Sequence, residues 1–166
     1  MANEYIISDK EKQEYIEYML ANKDLEKALG KWKRHKRNDD YMFQMLEVLV
    51  ESAKNQKGMI IAVKSDNMPI ESNQLDFIDI NKKYEMHHVT NKKDESYIMV
   101  FTSKERFKKC TNISGVVVFI DELIIAMERR KDVNGIVINL EKEEIILDKI
   151  LLRAIIWTIM HSNKAH

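Results

Sequence analysis

The chain is poor in the residues that staple or interrupt a fold. Its 166 residues hold one cysteine (Cys110), one proline (Pro69) and four glycines. A single cysteine excludes an intrachain disulfide framework and a cysteine-built zinc cluster, and it suits a reducing compartment. The glycines, Gly30, Gly58, Gly115 and Gly135, are scattered and form no phosphate-cradling loop. No apolar run approaches the length of a membrane span. The opening stretch MANEYIISDKEKQEY has no basic region followed by an apolar one, so it is not read as a secretory signal. A cytoplasmic protein without membrane contact is the expectation. A surplus of charge is missing as well: 27 Lys and Arg balance 27 Asp and Glu. Global steering of polyanions is thereby excluded, and only a local basic patch is left to do it.

What is present describes a folded chain. With 45% hydrophobic and 33% charged residues it is neither disordered nor fibrous, and its length suits one domain. The abundance of Lys, Ile and Asn points to an AT-rich bacterial genome.

From Tyr97 to Ile156, strand-like runs take turns with amphipathic ones: YIMVF, TSKERFKK, GVVVF, IDELIIAMERR, GIVIN, EIIL and DKILLRAIIWTI. This alternation predicts an α/β (α+β) fold, a mixed β-sheet flanked by helices, with an N-terminal helical extension. The extension covers residues 1–37 and the α/β domain 38–166. Ser8 and Glu11 have capping-box spacing and start the first helix, whose stripe is Tyr15, Ile16, Met19 and Leu20. Asp24 is read as the cap of a second helix carrying Leu25, Ala28, Leu29 and Trp32, and Asp39 as the cap of a third, closed by Lys57-Gly58. Met59–Val63 is a buried strand. Ser65–Lys83, with Pro69, is read as a loop holding a short strand at Leu75–Ile80. Tyr84–Val89 and Ser96–Phe101 form a hairpin, and YIMVF, apolar on both faces, is placed centrally in the sheet. Thr102 with Glu105 repeats the capping-box spacing, with Ser103 as the competing cap. Strands Gly115–Phe119, Ile136–Leu140 and Glu144–Leu147 follow, with a helix capped by Asp121 after the first. A last helix starts at Asp148, with Leu152, Ile155, Ile156 and Ile159 inward.

Lys31, Lys33, Arg34, Lys36 and Arg37 make the sharpest charge cluster, with Trp32 and His35 inside it. Such a run can grip phosphates while an aromatic stacks on a base. It equally complements the carbonyl end of a helix, and Trp32 completes a core stripe, so the solvated helix end is preferred. His87 and His88 are adjacent, and on a strand they point to opposite faces, so they do not form a metal pair. His161 and His166 suit a helix carboxyl end. Cys110, beside Lys108 and Lys109, is read as an idle thiol. Thr102 and Ser103 lack the glycines of a nucleophile elbow. The acids Asp76, Asp79, Glu141, Glu143 and Glu144 are read as solvated surface. Ten methionines, among them Met42, Met45, Met99, Met127 and Met160, are read as core filling.

Phe101-Thr102-Ser103 at a strand-to-helix turn, then Val116–Phe119 feeding Asp121–Arg130, then Gly135-Ile136-Val137-Ile138-Asn139 keep a recognisable order. In this the chain resembles the N-terminal domain of the bacterial SseB (enhanced serine sensitivity) family, over roughly Leu25–Ile156. Phe101, Thr102, Ser103, Gly135 and Asn139 are the positions that match its motif, as structural residues. The chain has Val63-Lys64 and Asn139-Leu140 where members often carry a proline. The resemblance implies the fold and a regulatory or interaction role. The function expected is a non-catalytic, protein-binding or regulatory domain, with no catalytic residue, cofactor or metal. An immunity-type protein neutralising a cognate toxin is one alternative. A nucleic-acid-associated protein using residues 31–37 is the other.

Overall fold

The computed structural model describes residues 8–35, 38–64, 75–79, 83–109, 114–140 and 144–162. Three helices come first: α1 (Asp9–Met19), α2 (Lys23–Arg34) and α3 (Asp39–Lys54). Then follow β1 (Gly58–Val63), β2 (Asp76–Phe77), β3 (His88–Thr90), β4 (Ser96–Phe101), the short helix α4 (Lys104–Lys108) and β5 (Ser114–Phe119). The chain continues through α5 (Ile120–Arg129), β6 (Gly135–Ile138), β7 (Ile145–Asp148) and α6 (Lys149–Ser162). The fold is α/β, with a mixed sheet in the order β2-β5-β1-β4-β6-β7 and β3 paired on β4. β4 and β6 are parallel, as are β2 and β5; β1 and β7 run against their neighbours.

Alternation along the strands separates two cores. Met59, Ile61, Ile98, Val100, Val116, Ile136 and Leu147 face one side, where α2, α3, α5 and α6 pack. Ile60, Ala62, Met99, Phe101, Val117 and Val137 face the other, with Ile16 and Met19 of α1 and Phe107 of α4. β1 and β4 are apolar on both faces because both are covered. They pair only at Ile60↔Phe101 and Ile61↔Val100. Past that point they part. The chain at Glu85–His87 enters the fork: Lys64 N–H donates to Glu85 O, His87 N–H to Ala62 O, and Met99 N–H to His87 O.

Several local expectations shift by a residue or two. Asn22, not Asp24, precedes α2, and its side chain makes no capping bond because it is used elsewhere. Asn38, not Asp39, caps α3, accepting from Asp40 N–H. Phe119 takes the position expected of Asp121, whose carboxylate accepts instead from Glu122 N–H. Near the end of α3 the left-handed residue is Gln56, with φ of 59°, and Gly58 belongs to β1. A Cβ there would lie 2.7 Å from the Met19 methyl and 2.8 Å from Val118 O, which explains the glycine. The strand expected at Leu75–Ile80 is only Asp76–Phe77. Asn139, with φ of 54°, ends β6 earlier than Leu140. Pro69, Cys110, Glu141 and Glu143 lie outside the described residues. No helix among the described residues is long and apolar enough to cross a membrane.

Candidate interaction surface

At the carboxyl ends of the parallel pair β4 and β6, the motif residues Thr102 and Asn139 meet, while Gly135 lies at the other end of β6. Thr102 is 0% exposed. Its hydroxyl donates to Glu26 Oε1 at 2.7 Å and accepts from Asn139 Nδ2 at 2.9 Å. Its backbone N–H donates to Asn139 Oδ1 at 3.1 Å, while Asn139 N–H donates to Val100 O. Asn22 Nδ2 donates to Gly58 O and to Thr102 O, both at 2.8 Å. Open α/β sheets place ligands at such strand ends; here the chain's own Asn22 and Glu26 occupy the place. The two rival caps of α4 are thereby resolved. Ser103 caps it, accepting from Arg106 N–H at 3.2 Å, and Thr102 is a latch. The Thr102 hydroxyl is sealed from solvent and bonded on both sides.

Thr102→Val is therefore expected to lower stability by about 1–3 kcal/mol, the usual loss when buried partners are left unpaired. Urea unfolding measures it. A loss below about 0.5 kcal/mol, the floor for a net hydrogen bond, would mean that the latch does not hold α2 to the sheet.

The basic segment is split. Lys31, Lys33 and Arg34 lie in the last turn of α2, where cations complement the carbonyl end. Trp32 is half-buried against the core and His35 stacks on Tyr41 at 4.4 Å. Lys36 and Arg37 lie outside the described residues. Between α2 and α3 runs a groove of about 670 Å³, lined by Lys23, Lys27 and Lys31 but also by Glu47 and Glu51. Its mixed charge offers a polyanion no uniform field.

Among the described residues the other titratable groups do not converge. His87 is half-buried and His88 exposed. Burial, and then the Lys64 ammonium, push the His87 imidazole below its ordinary range. Hydrogen bonding by Arg130 lowers the Asp132 carboxyl to about 2, at a surface where such pairs contribute little. Among the described residues no group of three or more His, Cys, Asp or Glu is placed to hold a metal ion. His166 lies outside the described residues.

The unusual surface is the outer face of α6. Leu152 and Ile155 are buried, and Ile156 and Ile159 pack against the same core, as the spacing predicts. The opposite side of the helix is apolar too. Ile150 is 73% exposed, Trp157 62% and Met160 62%. Met160 thus departs from the core role expected of it. At 100° per residue, Ile150, Ala154, Trp157 and His161 form one stripe facing away from Leu152 and Ile155. The Trp157 ring stacks on His161 at 4.1 Å, and His161 Nδ1 bonds the Trp157 carbonyl at 2.8 Å. Arg153, beside the stripe, is paired with Glu128 at 3.0 Å.

The helix that carries this face is firmly seated. Asp148 caps it, accepting from Leu151 N–H at 2.9 Å. The Lys149 ammonium donates to the carbonyls of Met127, Glu128 and Arg130 at the end of α5. The sequence carried the signal for the outer stripe, because Ile150, Ala154 and Trp157 have helical spacing. The inner face has the same spacing, and only packing tells the two apart.

Comparison with protein-family models, with curated proteins and with solved structures found no match.

Proposed function

We propose that the chain is a non-catalytic, cytoplasmic bacterial domain that binds another protein through the outer face of α6. The observation that carries this is the solvent exposure of Ile150, Trp157 and Met160 on a helix whose other face already fills the core. Large apolar side chains gathered on one exposed helix side are unfavourable in water, and such surfaces mark contact sites. An exposed, rotamer-poor tryptophan on a firmly seated helix has the make-up of a binding hot spot. The motif resemblance to the SseB N-terminal domain supports the same reading, since Thr102 and Asn139 serve the scaffold.

Photo-crosslinking in the native host tests it, with a photoreactive phenylalanine at position 157. Protein adducts are expected from 157, none from the exposed Glu122 position on α5, and their loss when Ile150 and Met160 are both changed to glutamate. No adduct from 157, or adducts indifferent to the glutamates, would overturn the proposal.

A further inference from the structure

We infer that Met86 is a sulfoxidation site, with the Arg130 guanidinium placed to hold the oxygen that a hydroperoxide leaves on its sulfur.

The Met86 sulfur accepts a hydrogen bond from Arg130 Nη1 at 3.3 Å. Among the described residues no other methionine sulfur accepts one. A thioether is a weak acceptor and a poor match for so strong a donor. Arg130 is nevertheless fixed in that direction. Its Nε and Nη2 donate to the two carboxylate oxygens of Asp132, at 2.9 and 2.6 Å, which leaves Nη1 for the sulfur. The Lys149 ammonium holds the Arg130 carbonyl as well. Met86 itself is half-buried at the border of the core, whereas Met45, Met59 and Met127 are sealed inside it.

The sulfoxide suits this donor better than the thioether does. Oxidation makes an apolar side chain polar, and its oxygen is an acceptor that a guanidinium binds well. In the step, a sulfur lone pair attacks one oxygen of the hydroperoxide. The O–O bond breaks and an S–O bond forms, so the sulfur gives up two electrons. The departing oxygen takes the proton of the transferred one and leaves as water, or as an alcohol from an alkyl hydroperoxide. Negative charge grows first on the departing oxygen and settles on the sulfoxide oxygen, and Nη1–H already points at the sulfur where both develop.

The modification falls on a joint of the fold. Met86 bridges Val63 at the end of β1, and the next residue, His87, ties Ala62 to Met99 across the fork between β1 and β4. A sulfoxide held by Arg130 fastens that joint to the carboxyl end of α5.

Hydrogen peroxide treatment of the full chain, followed by peptide mass analysis, tests the inference. Met160, 62% exposed, sets the unassisted rate, and Met59, 1% exposed, reports any loss of the fold. Met86 is expected to oxidise at least as fast as Met160 although it is less exposed. Arg130→Leu should slow Met86 about fivefold, what one net hydrogen bond is worth in a rate, and leave Met160 unchanged. Arg130→Lys, which keeps a cation but loses the planar fork, should recover part of that rate. Where Arg130→Leu also makes Met59 reactive, Asp132→Asn replaces it: the guanidinium stays but is aimed less firmly, and Met86 alone should slow. Oxidation of Met86 that lags behind Met160, or a ratio of the two that ignores the Arg130 and Asp132 variants, would overturn the inference and leave the contact as packing only.

Discussion

Replacing Phe101 by alanine is expected to cost about 3–5 kcal/mol, the range for emptying a fully buried aromatic site. Phe101 is 1% exposed and closes β4, an interior strand of the sheet. Its ring meets Phe107 of α4 edge-on, with centroids 5.7 Å apart. Backbone pairing to Ile60 holds the position from the other side. The surroundings are strands and a short helix fixed by Ser103, so the cavity has little room to collapse. Chemical denaturation gives the number. A loss under about 1 kcal/mol would mean that β4 does not lie at the centre, since buried aromatic deletions do not come so cheaply.

Gly135→Ala has the other large effect. Gly135 has φ of +154°, and an added Cβ would stand 2.1 Å from Leu147 O and 3.0 Å from Asp148 Cα. Both atoms are backbone of β7, directly across the ladder. Neither can swing aside as a side chain would, so β6 and β7 must separate. Overpacking and a strained backbone together cost roughly 2–6 kcal/mol, and the thermal midpoint should fall by about 5 °C or more. Gly30→Ala is the control with the opposite sign. A Cβ there meets only Arg34 Nη1 at 3.5 Å, and alanine is the better helix former by about 1 kcal/mol. Equal effects at the two glycines would refute the packing described for β6 and β7.

The layers were legible because the signal that forms them is local. YIMVF is apolar at every position, and a strand covered on both faces is central. Asp148 ahead of KILL announced the start of α6 correctly, since the cap and the first core residue are near neighbours. Asn22 was illegible. Its partners, Gly58 and Thr102, are 36 and 80 residues away, and side-chain chemistry alone reads it as a break. The choice between Asn38 and Asp39 failed for a related reason: both residues cap equally well, and packing of the helix decides which one does. Thr102 and Ser103 were rival caps in sequence; burial gave the hydroxyl of one to Glu26 and left the other at the helix start. The outer stripe of α6 was hidden in plain view, because periodicity counts faces without saying which one meets solvent.

The latch between Glu26, Thr102 and Asn139 also bears on how the chain is made. Glu26 leaves the ribosome about 110 residues before Asn139, so at ordinary translation speeds α2 waits roughly 6–25 s for its last partner. Through that interval Leu25 and Leu29 have α3 to pack on but not the completed sheet. The nascent amino-terminal third must stay soluble on its own charges until the ends of β4 and β6 emerge to receive it.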